Sequence, residues 1–265
     1  MKQIYQHFKA SEQEFVDQVL DDVWRVENTH APLLSPFLNP RERYIIKSIV
    51  AGRDEIEQSA FGGLDEAENK RVLIYPYYLE SPAPEAFEVA LMAIDYPKKF
   101  TKLSHGQIMG SILGAGLVRN RLGDIITDGE DWQFFIDKTL VDYVIQQVTK
   151  IGRASVTLKE RPLTEVLTPE QTGSSQEIVV SSLRLDLIIA RTFHLSRQLA
   201  QEFIKKERVK INWAEETNPA AVVEAADIIS VRKKGRIRVG SVKGRTRKDN
   251  CVLKIKKFDR NQTGQ

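Results

Sequence analysis

The architecture of the last third of the chain follows from residues 183–212, which read LRLDLIIARTFHLSRQLAQEFIKKERVKIN. The first eight residues are apolar apart from Arg184 and Asp186, and they predict a buried helix. Ser196 precedes a second predicted helix, and its hydroxyl oxygen can accept a hydrogen bond from a free backbone N–H group in the first turn of that helix. That second helix is predicted to bury one apolar face, made by Leu199, Ala200, Phe203 and Ile204.

Short strands and basic turns follow the two helices. The strands are predicted at residues 209–212, 228–232, 237–239 and 253–256, and the basic turns at 233–236 and 243–248. On the second helix, Arg197 and Lys205 lie within about 80° of each other at ~100° per residue, and Arg208 continues that basic edge. Two helices on a small sheet, with cations on a helix edge and at hairpin tips, form a surface suited to the phosphates of folded RNA.

Charge is distributed unevenly along the chain. Residues 181–265 hold 20 Lys and Arg against 9 Asp and Glu, a net charge of +11, whereas residues 1–180 hold 19 against 27, a net charge of −8. Repulsion within so small a basic domain is relieved by a polyanion such as nucleic acid, or by an anionic membrane surface. A solvated basic face that binds nothing is the remaining alternative.

The composition is that of a globular protein. The chain has 265 residues, 42% of them hydrophobic and 28% charged, which is enough for two or three domains. The longest nearly apolar run, residues 108–118, is far shorter than the ~18 residues of a membrane span, and Ser111 and three glycines interrupt it. The amino terminus lacks the continuous apolar core of a secretory signal. The sequence therefore predicts a cytoplasmic protein without membrane insertion.

Cysteine and histidine usage argues against a disulfide and against a metal site. Cys251 is the single cysteine, so no internal disulfide can form. The four histidines are scattered without the spacing of metal ligands: His7, His30, His105 and His194. We therefore expect no metal and no cofactor.

The first part of the chain predicts a helical or mixed domain over residues 1–70. Ser11 and Glu14 have the spacing of a capping box at the start of a helix. Asn39 can cap a second helix, with a proline in its first position and a glycine as its stop. We expect the aromatic residues of this domain to belong to its core.

Residues 71–167 predict a second domain of short strands and helices. From Phe87 onward the predicted order is strand, helix, strand, strand, helix, strand, with a tight turn at residues 128–130. That order is the ferredoxin-like (RRM-like) arrangement, which serves RNA recognition as well as unrelated functions. Trp132 and Phe134 share one strand face, where they could stack on bases or be buried beneath the helices.

A polar segment without periodicity separates this domain from the basic one. Residues 168–180 are predicted as a linker, residues 181–258 as the basic domain and residues 259–265 as a tail. The predicted fold class is α+β, with a helical or mixed amino-terminal region, a ferredoxin-like middle domain and a small carboxy-terminal domain of two helices and a sheet.

Three motifs of the basic domain resemble the S4 domain, which is named after protein four of the small ribosomal subunit. They are Arg184-Leu185-Asp186, Ser196-Arg197 and Val209-Lys210-Ile211-Asn212, in the order and spacing of that family. Two positions depart from it, because the family usually has Gly where Glu207 and Trp213 stand. A positive φ at Glu207 would cost about 1 kcal/mol.

The S4 resemblance implies a set of RNA-contacting residues. Phosphate contact is expected at Arg184 and Arg197. The supporting cations are Lys205, Lys206, Arg208, Lys210, Arg232, Lys233, Lys234 and Arg236. Asp186 is expected to orient an arginine or the helix start, and Ser196 to cap its helix. For each single cation, a solvated surface role is the alternative.

Short motifs in the first 180 residues resemble the YlmH-type RNA-binding proteins of Gram-positive bacteria. They are Ser35-Pro36-Phe37-Leu38, Phe61-Gly62-Gly63, Leu103-Ser104-His105, Gly116-Leu117-Val118-Arg119 and Leu122-Gly123-Asp124-Ile125. The resemblance implies a helical first region, a ferredoxin-like RNA-binding domain and an S4 domain. That family has Arg-Asp after the histidine, where this chain has Gly106 and Gln107. Arg119 and Arg121 are further candidate RNA contacts, with an ordinary exposed loop as the alternative.

The same resemblance implies a non-enzymatic, ribosome-associated RNA-binding protein linked to cell division. The expected target is the large ribosomal subunit carrying an obstructed nascent chain and a transfer RNA, where a related S4 protein assists quality control. The expected partners are structured RNA, above all ribosomal RNA and also transfer RNA. A protein partner of the acidic amino-terminal part is a further expectation.

S4 domains also accompany enzymes, and none of those enzymes fits this sequence. A pseudouridine synthase needs a catalytic Arg-Leu-Asp in a separate domain, whereas residues 184–186 lie in the S4 helix itself. A methyltransferase needs a glycine-rich turn, yet Arg119 stands where the third glycine would fall. The signature of a tyrosyl-tRNA synthetase is absent. No catalytic residue is predicted, and the alternatives are an adaptor in cell division and an RNA-modifying enzyme.

Overall fold

The computed structural model of the chain describes residues 8–169, 173–247 and 249–259. The chain combines helices with antiparallel sheets and so has the predicted α+β class. Residues 260–265 of the predicted tail and residues 170–172 of the predicted linker lie outside the described part.

The chain divides into two compact units. Of the described residues, the first contains 8–103 and 110–169, and the second contains 104–109, 173–247 and 249–259. Within the described ranges, no helix has the length and apolarity needed to cross a bilayer. The same ranges hold no group of three His, Cys, Asp or Glu side chains placed to bind a metal ion.

The amino-terminal part of the first unit is a three-stranded sheet with two helices. Its elements are α1 (Gln13–Thr29), β1 (Leu33–Leu38), α2 (Pro40–Val50), β2 (Ile56–Phe61) and β3 (Lys70–Pro76). The sheet order is β1-β3-β2. Val19 and Val23 of α1 share a core with Ile45 and Ile49 of α2, as the helical periodicity predicts. The expectation that the aromatic residues of this domain belong to its core is wrong for Trp24 and Tyr44, which are 64% and 57% exposed.

The two helices differ in how they start. Asn39 caps α2 as predicted, and Glu42 completes a capping box. The predicted capping box of Ser11 and Glu14 is wrong, because a short 3-10 turn precedes α1 and places Glu12 in the cap position, without a side-chain cap.

The first sheet extends beyond the domain boundary that was predicted at residue 70. β3 begins at Lys70 and pairs with both β1 and β2, so it is the central strand of this sheet. Residues 71–76 are therefore buried on both faces. The apolar sequence of such a buried strand predicts an extended conformation, but it does not indicate which sheet the strand joins.

The middle domain has the predicted ferredoxin-like order. Its elements are β4 (Val89–Asp95), α3 (His105–Gly114), β5 (Leu122–Thr127), β6 (Trp132–Asp137), α4 (Val141–Gln147), β7 (Lys150–Ile151), β8 (Ala154–Ser155) and β9 (Thr157–Arg161). The antiparallel sheet has the order β5-β6-β4-β9, and β7 and β8 form a small separate hairpin. The four main strands thus follow the order second, third, first, fourth of a ferredoxin-like sheet.

The aromatic side chains at the centre of this sheet are buried on both faces. Phe134 and Phe135 are neighbours on β6, point to opposite faces and are both fully buried. Phe135 packs with Phe37 and Leu73 of the first sheet in one core. Of the two alternatives for Phe134, the structure selects burial over base stacking, because a base cannot reach a ring without exposed surface.

Two glycines of the quoted motifs allow the first sheet and the middle sheet to pack this closely. A Cβ atom at Gly63 would lie 2.1 Å from Cε1 of Phe135, and one at Gly123 would lie 2.8 Å from Cε1 of Phe37. Gly63 also has a φ of +97°, which glycine adopts without strain. The close packing of the two sheets therefore explains why these two motifs contain glycine.

The second unit is a six-stranded antiparallel sheet with two helices on one face. Its elements are β10 (Ser174–Val180), α5 (Leu185–Thr192), α6 (Arg197–Lys205), β11 (Val209–Ile211), β12 (Ala214–Glu215), β13 (Ile228–Val231), β14 (Gly235–Arg245) and β15 (Cys251–Asp259). The sheet order is β10-β15-β14-β13-β11-β12. Ile188 of α5 and Ile204 of α6 meet Ile229 and Ile237 of the sheet in one core.

Part of the predicted linker is a strand of this sheet. All seven residues of β10 pair with β15, and Ile178 and Val180 face the core. β10 is an edge strand with one solvated face, so few of its residues need to be apolar. Its polar composition is therefore similar to that of a linker, and the prediction of a linker over residues 174–180 is wrong. The predicted burial of Leu199 on α6 is also wrong, because Leu199 is 38% exposed and only Ala200 and Ile204 are fully buried on that helix.

Candidate nucleic-acid interface

Asp186 lies at the centre of a cluster that joins α5 and α6. Its carboxylate accepts two hydrogen bonds from Arg184, at 3.1 Å from Nε and 3.0 Å from Nη2. It also accepts one from Nε of Arg197 at 3.0 Å and one from Nε2 of Gln201 at 2.8 Å. The Asp186 side chain is fully buried, whereas those of Arg184 and Arg197 are 34% and 54% exposed. These four residues are named the arginine cluster.

The negative charge of Asp186 is stable despite its burial. Burial alone would raise the pKa of this carboxyl group, but the hydrogen bonds from Arg184, Gln201 and Arg197 outweigh it and hold the pKa of Asp186 well below its ordinary value. The hydrogen bond to Asp186 in turn raises the pKa of Arg184. The cluster therefore presents two exposed cations around one buried anion at every physiological pH.

Helix starts place the two arginines. Arg184 is the N-cap residue of α5, and Arg197 is the first residue of α6. Ser196 caps α6, because its Oγ accepts the Leu199 N–H at 3.1 Å. The sequence interpretation missed Gln201, although it follows Arg197 by four residues and so lies on the same side of the helix.

Glu207 ends α6 in the left-handed conformation that its replacement of Gly suggested. Its φ is 55°, and the N–H groups of Glu207 and Arg208 bond the carbonyls of Ile204 and Phe203. This is a Schellman motif, in which Gly is the usual residue. The turn sets Arg208 beside Arg232, whose N–H bonds the Arg208 carbonyl at 2.8 Å.

The remaining predicted cations near the end of α6 differ in their surroundings. Lys205 is exposed at the last position of the helix. Lys206 forms an ion pair with Glu202 one turn earlier. The Arg208 guanidinium carbon lies 5.6 Å from the centroid of the Phe203 ring. Lys205 follows the helix edge that begins with Arg197, whereas Lys206, nine residues after Arg197, lies about 180° away around the axis at ~100° per residue.

Four predicted cations lie on β11, β14 or the turn before β14. Lys233 is exposed and Lys234 is half-buried in the turn between β13 and β14. Lys210 and Arg236 point to the sheet face opposite the helices, because the neighbouring residues Val209 and Ile237 face the core. The structure therefore does not bring Lys210 and Arg236 together with the arginine cluster.

Arg119 and Arg121 make contacts within the first unit. Arg121 forms an ion pair with Asp137, whose side chain is only 1% exposed. The buried Arg71 approaches the same carboxylate at 3.4 Å, and Arg119 donates from Nη1 to the Leu122 carbonyl. Sequence reasoning missed Arg71, for which the signal was a charged residue inside a buried strand.

Comparison with known proteins identifies all three parts of the chain. The model "YlmH, N-terminal" matches residues 11–79, the model "Putative RNA-binding domain in YlmH" matches residues 82–165, and the S4 domain model matches residues 183–229. The ribosome-associated protein quality control protein P2 of Bacillus subtilis is 34% identical over 249 residues, which span 94% of this chain and 96% of that protein. The chain belongs to the YlmH family.

A solved YlmH structure agrees with this membership. The cell division protein ylmH from Streptococcus pneumoniae is 34% identical, with a TM-score of 0.54 over 62% of this chain and 99% of that chain. The predicted YlmH and S4 resemblances are confirmed. Since the S4 match ends at residue 229, the strands β14 and β15 of this YlmH chain lie beyond it.

Proposed function

We propose that the protein is a non-enzymatic RNA-binding factor that associates with the large ribosomal subunit. The observation that carries this proposal is the arginine cluster, in which one buried carboxylate holds two exposed guanidinium groups at two helix starts. The matches to an RNA-binding domain and to the S4 domain support the same class of ligand.

The arginine cluster suits phosphate because its cations are held in place before binding. A guanidinium group has five N–H donors, and in the described part of the chain Arg197 is held through Nε alone. Its two terminal nitrogens can therefore make the planar, bidentate contact that phosphate favours. Since Asp186 already restricts both arginines, binding costs little additional side-chain entropy.

The relatives suggest the cellular setting. The B. subtilis relative is named for ribosome-associated quality control, and the S. pneumoniae relative for cell division. By analogy we assign this protein to cytoplasmic large subunits that carry an obstructed nascent chain and a transfer RNA. Ribosomal RNA phosphates are then the ligands of Arg184 and Arg197, with the cations of the α6 edge in support.

A protein-binding role of the first unit is the second candidate. Residues 1–180 carry a net charge of −8, and Tyr77 and Tyr78 are exposed there. An acidic surface with exposed aromatic rings favours a basic protein partner, such as a ribosomal or division protein. Such an adaptor role is compatible with RNA binding by the second unit.

Ribosome sedimentation tests the proposed function. The native chain is compared with an Arg184→Ala, Arg197→Ala variant and with an Arg25→Ala, Lys47→Ala control, which removes two exposed cations from α1 and α2, outside the RNA-binding and S4 matches. We expect the native chain and the control to migrate with the large subunit and the cluster variant to be lost from it. The log-log salt slope should be roughly −2 to −4 for about four phosphate contacts.

Two outcomes would contradict the proposal. One is absence of the native chain from ribosomal fractions at low salt, and the other is sedimentation that the cluster variant leaves unchanged. Association that is insensitive to salt would favour the adaptor role, since phosphate contacts always release counterions.

A further inference from the structure

The outer face of the C-terminal sheet, on the side away from α5 and α6, carries aromatic rings among cations. Cross-strand pairing aligns Lys210, Ser230, Arg236 and Phe258 in one row over β11, β13, β14 and β15. The strand neighbours of Lys210, Ser230 and Arg236 include core residues, so these three side chains lie on the face away from the core, and Phe258 shares that face as the cross-strand partner of Arg236. Ser230, between Lys210 and Arg236 in the row, is 4% exposed. Trp213 adjoins the row, because the Arg236 guanidinium carbon lies 5.8 Å from the centroid of its ring.

Trp213 stands at a backbone position that disfavours a large side chain. Asn212 and Trp213 form the two-residue turn between β11 and β12, with φ values of 48° and 67°. Such a turn requires positive φ at both residues, and Gly is the usual second residue. Asn212 is fixed by hydrogen bonds with the Asp227 side chain and the Ile228 N–H. A fixed turn therefore presents a half-exposed indole ring where Gly would be less strained.

Two cations on the same face also oppose each other. Arg238 and Lys256 are direct cross-strand partners in the register of β14 and β15. Like charges in this position destabilise a sheet, and a bound polyanion removes the cost. The Lys256 ammonium nitrogen lies 5.4 Å from the centroid of the Phe258 ring, so this pair adjoins the second aromatic ring.

From this arrangement we propose that the outer face binds single-stranded RNA through a platform of Trp213, Arg236, Arg238, Lys256 and Phe258. Unpaired bases stack on the rings of Trp213 and Phe258, and Arg238 and Lys256 contact the phosphates between them. An open sheet face with aromatic rings and cations is a recurrent surface for unpaired bases. The proposal deepens the RNA-binding function proposed above and rests on it.

The outer-face platform is separate from the arginine cluster. α5 and α6 pack on one face of the sheet, and the platform lies on the other. Four of its five residues follow residue 229, where the S4 family match ends. The C-terminal domain can therefore hold folded RNA at its helices and an unpaired strand on its sheet at the same time.

Fluorescence anisotropy with a labelled oligouridine of about twelve nucleotides tests the platform in the full-length protein. The variants are Trp213→Gly, which removes the ring and relieves the strained φ, and Phe258→Ser. Trp24→Ala is the matched control, because Trp24 is an exposed tryptophan on α1. We expect each platform variant to weaken binding about tenfold, the effect of losing one stacked base, and the control to bind like the native chain.

Charge variants sharpen the same experiment. The Arg238→Gln, Lys256→Gln pair should reduce the log-log salt slope by roughly 1.4, since each phosphate contact to a single strand contributes about 0.7. Unchanged affinity of Trp213→Gly, or an equal loss in Trp24→Ala, would overturn the proposal. Displacement of the RNA by an equal charge concentration of polyglutamate would also overturn it, because the platform would then bind any polyanion and would not recognise bases.

The two proposals fail in distinguishable ways. If the native chain does not sediment with ribosomes but its oligouridine affinity depends on Trp213, the ribosomal function fails and the platform stands. If sedimentation depends on Arg184 and Arg197 while Trp213→Gly binds oligouridine like the native chain, the platform fails and the ribosomal function stands.

Discussion

Asp137 in the middle domain and Asp186 in the C-terminal domain are both buried carboxylates that hold two arginines, but their arginines differ in exposure. Around Asp137, the side chain of Arg71 is 5% exposed and that of Arg121 is 46% exposed. Around Asp186, both arginines reach solvent. In both cases hydrogen bonds and positive charge outweigh the effect of burial and lower the carboxyl pKa.

The difference shows how one arrangement of charges serves packing or binding. The guanidinium group of Arg71 donates hydrogen bonds to the carbonyls of Ser35 and Glu88 and forms an ion pair with Asp137, all within the first unit. It joins the first sheet to the middle sheet and offers nothing to a ligand. Arg197 is fixed by Asp186 at one nitrogen and exposes the rest of its guanidinium group. Burial of the cation, rather than of the anion, separates the two roles.

Removing Asp137 should have the largest effect on stability. Asp137→Ala removes the buried carboxylate beside Arg71 and leaves only the half-exposed carboxylate of Glu88, 3.9 Å away, which should lower the free energy of unfolding by about 3–5 kcal/mol. Arg121→Ala removes a half-exposed partner and should cost about 1 kcal/mol or less. Urea denaturation of both variants measures the contrast. A loss below about 1 kcal/mol in Asp137→Ala would contradict the role of Asp137 as the main counter-charge of the buried Arg71.

Replacing Asp186 should separate binding from stability. Asp186→Asn keeps the shape of the side chain, and its arginines can hydrate, so the free energy of unfolding should fall by only about 1–2 kcal/mol. RNA affinity should nevertheless fall about tenfold although the protein gains positive charge, because Arg184 and Arg197 lose their orientation.

Glu224→Gln adds the same charge at an exposed residue of the same domain and is the control for Asp186→Asn. It should bind RNA at least as tightly as the native chain. Anisotropy with a folded ribosomal RNA fragment compares the two variants. Equal affinities would mean that net charge, and not the geometry of the arginine cluster, governs binding.

The pH dependence of stability gives a smaller effect with a defined sign. The folded-state pKa of Asp186 lies below its unfolded value of ~3.9, so its contribution is complete above that pH and is lost as the pH falls through the folded pKa. The stability difference between the native chain and Asp186→Asn should therefore stay constant from pH 7 to about 4 and shrink below that. Urea midpoints across this range measure it, and a difference that already shrinks near pH 6 would contradict the assignment.

Relief of strain at the end of α6 should give the smallest effect. Glu207→Gly removes a side chain from a residue with φ of 55° and should raise the free energy of unfolding by about 1 kcal/mol. RNA affinity should stay within about twofold of the native value, since Glu207 contacts neither arginine of the cluster in the described structure. Thermal or urea unfolding measures this change in stability, and a loss of stability in Glu207→Gly would contradict the prediction.

Features with a local cause could be predicted from the chain. Asn39 and Ser196 precede amphipathic stretches, so both helix caps follow from a few neighbouring residues. The ferredoxin-like order follows from the alternation of short apolar runs and a tight turn. The spacing of Arg184, Asp186 and Arg197 marked the S4 helices before any contact between them was known.

Features with a distant cause could not be predicted in the same way. β10 has a polar sequence because only one of its faces is buried, and its partner β15 is at the far end of the chain. β3 joins the first sheet through pairings that no local pattern specifies. Arg121 lies in a short exposed turn, and its pairing with Asp137 depends on the folded sheet.

Residue types and their spacing were sufficient to predict an α+β chain with an acidic amino-terminal part, a basic carboxy-terminal domain and arginines at the starts of two helices, and the motifs of that basic domain resembled the S4 family. The open and covered surfaces depend on packing between distant segments. Phe134 is buried and Trp213 is half-exposed, although both are aromatic residues at strand or turn positions. A helix cap forms within one turn of the chain, whereas burial depends on which sheet or helix comes to lie against a residue.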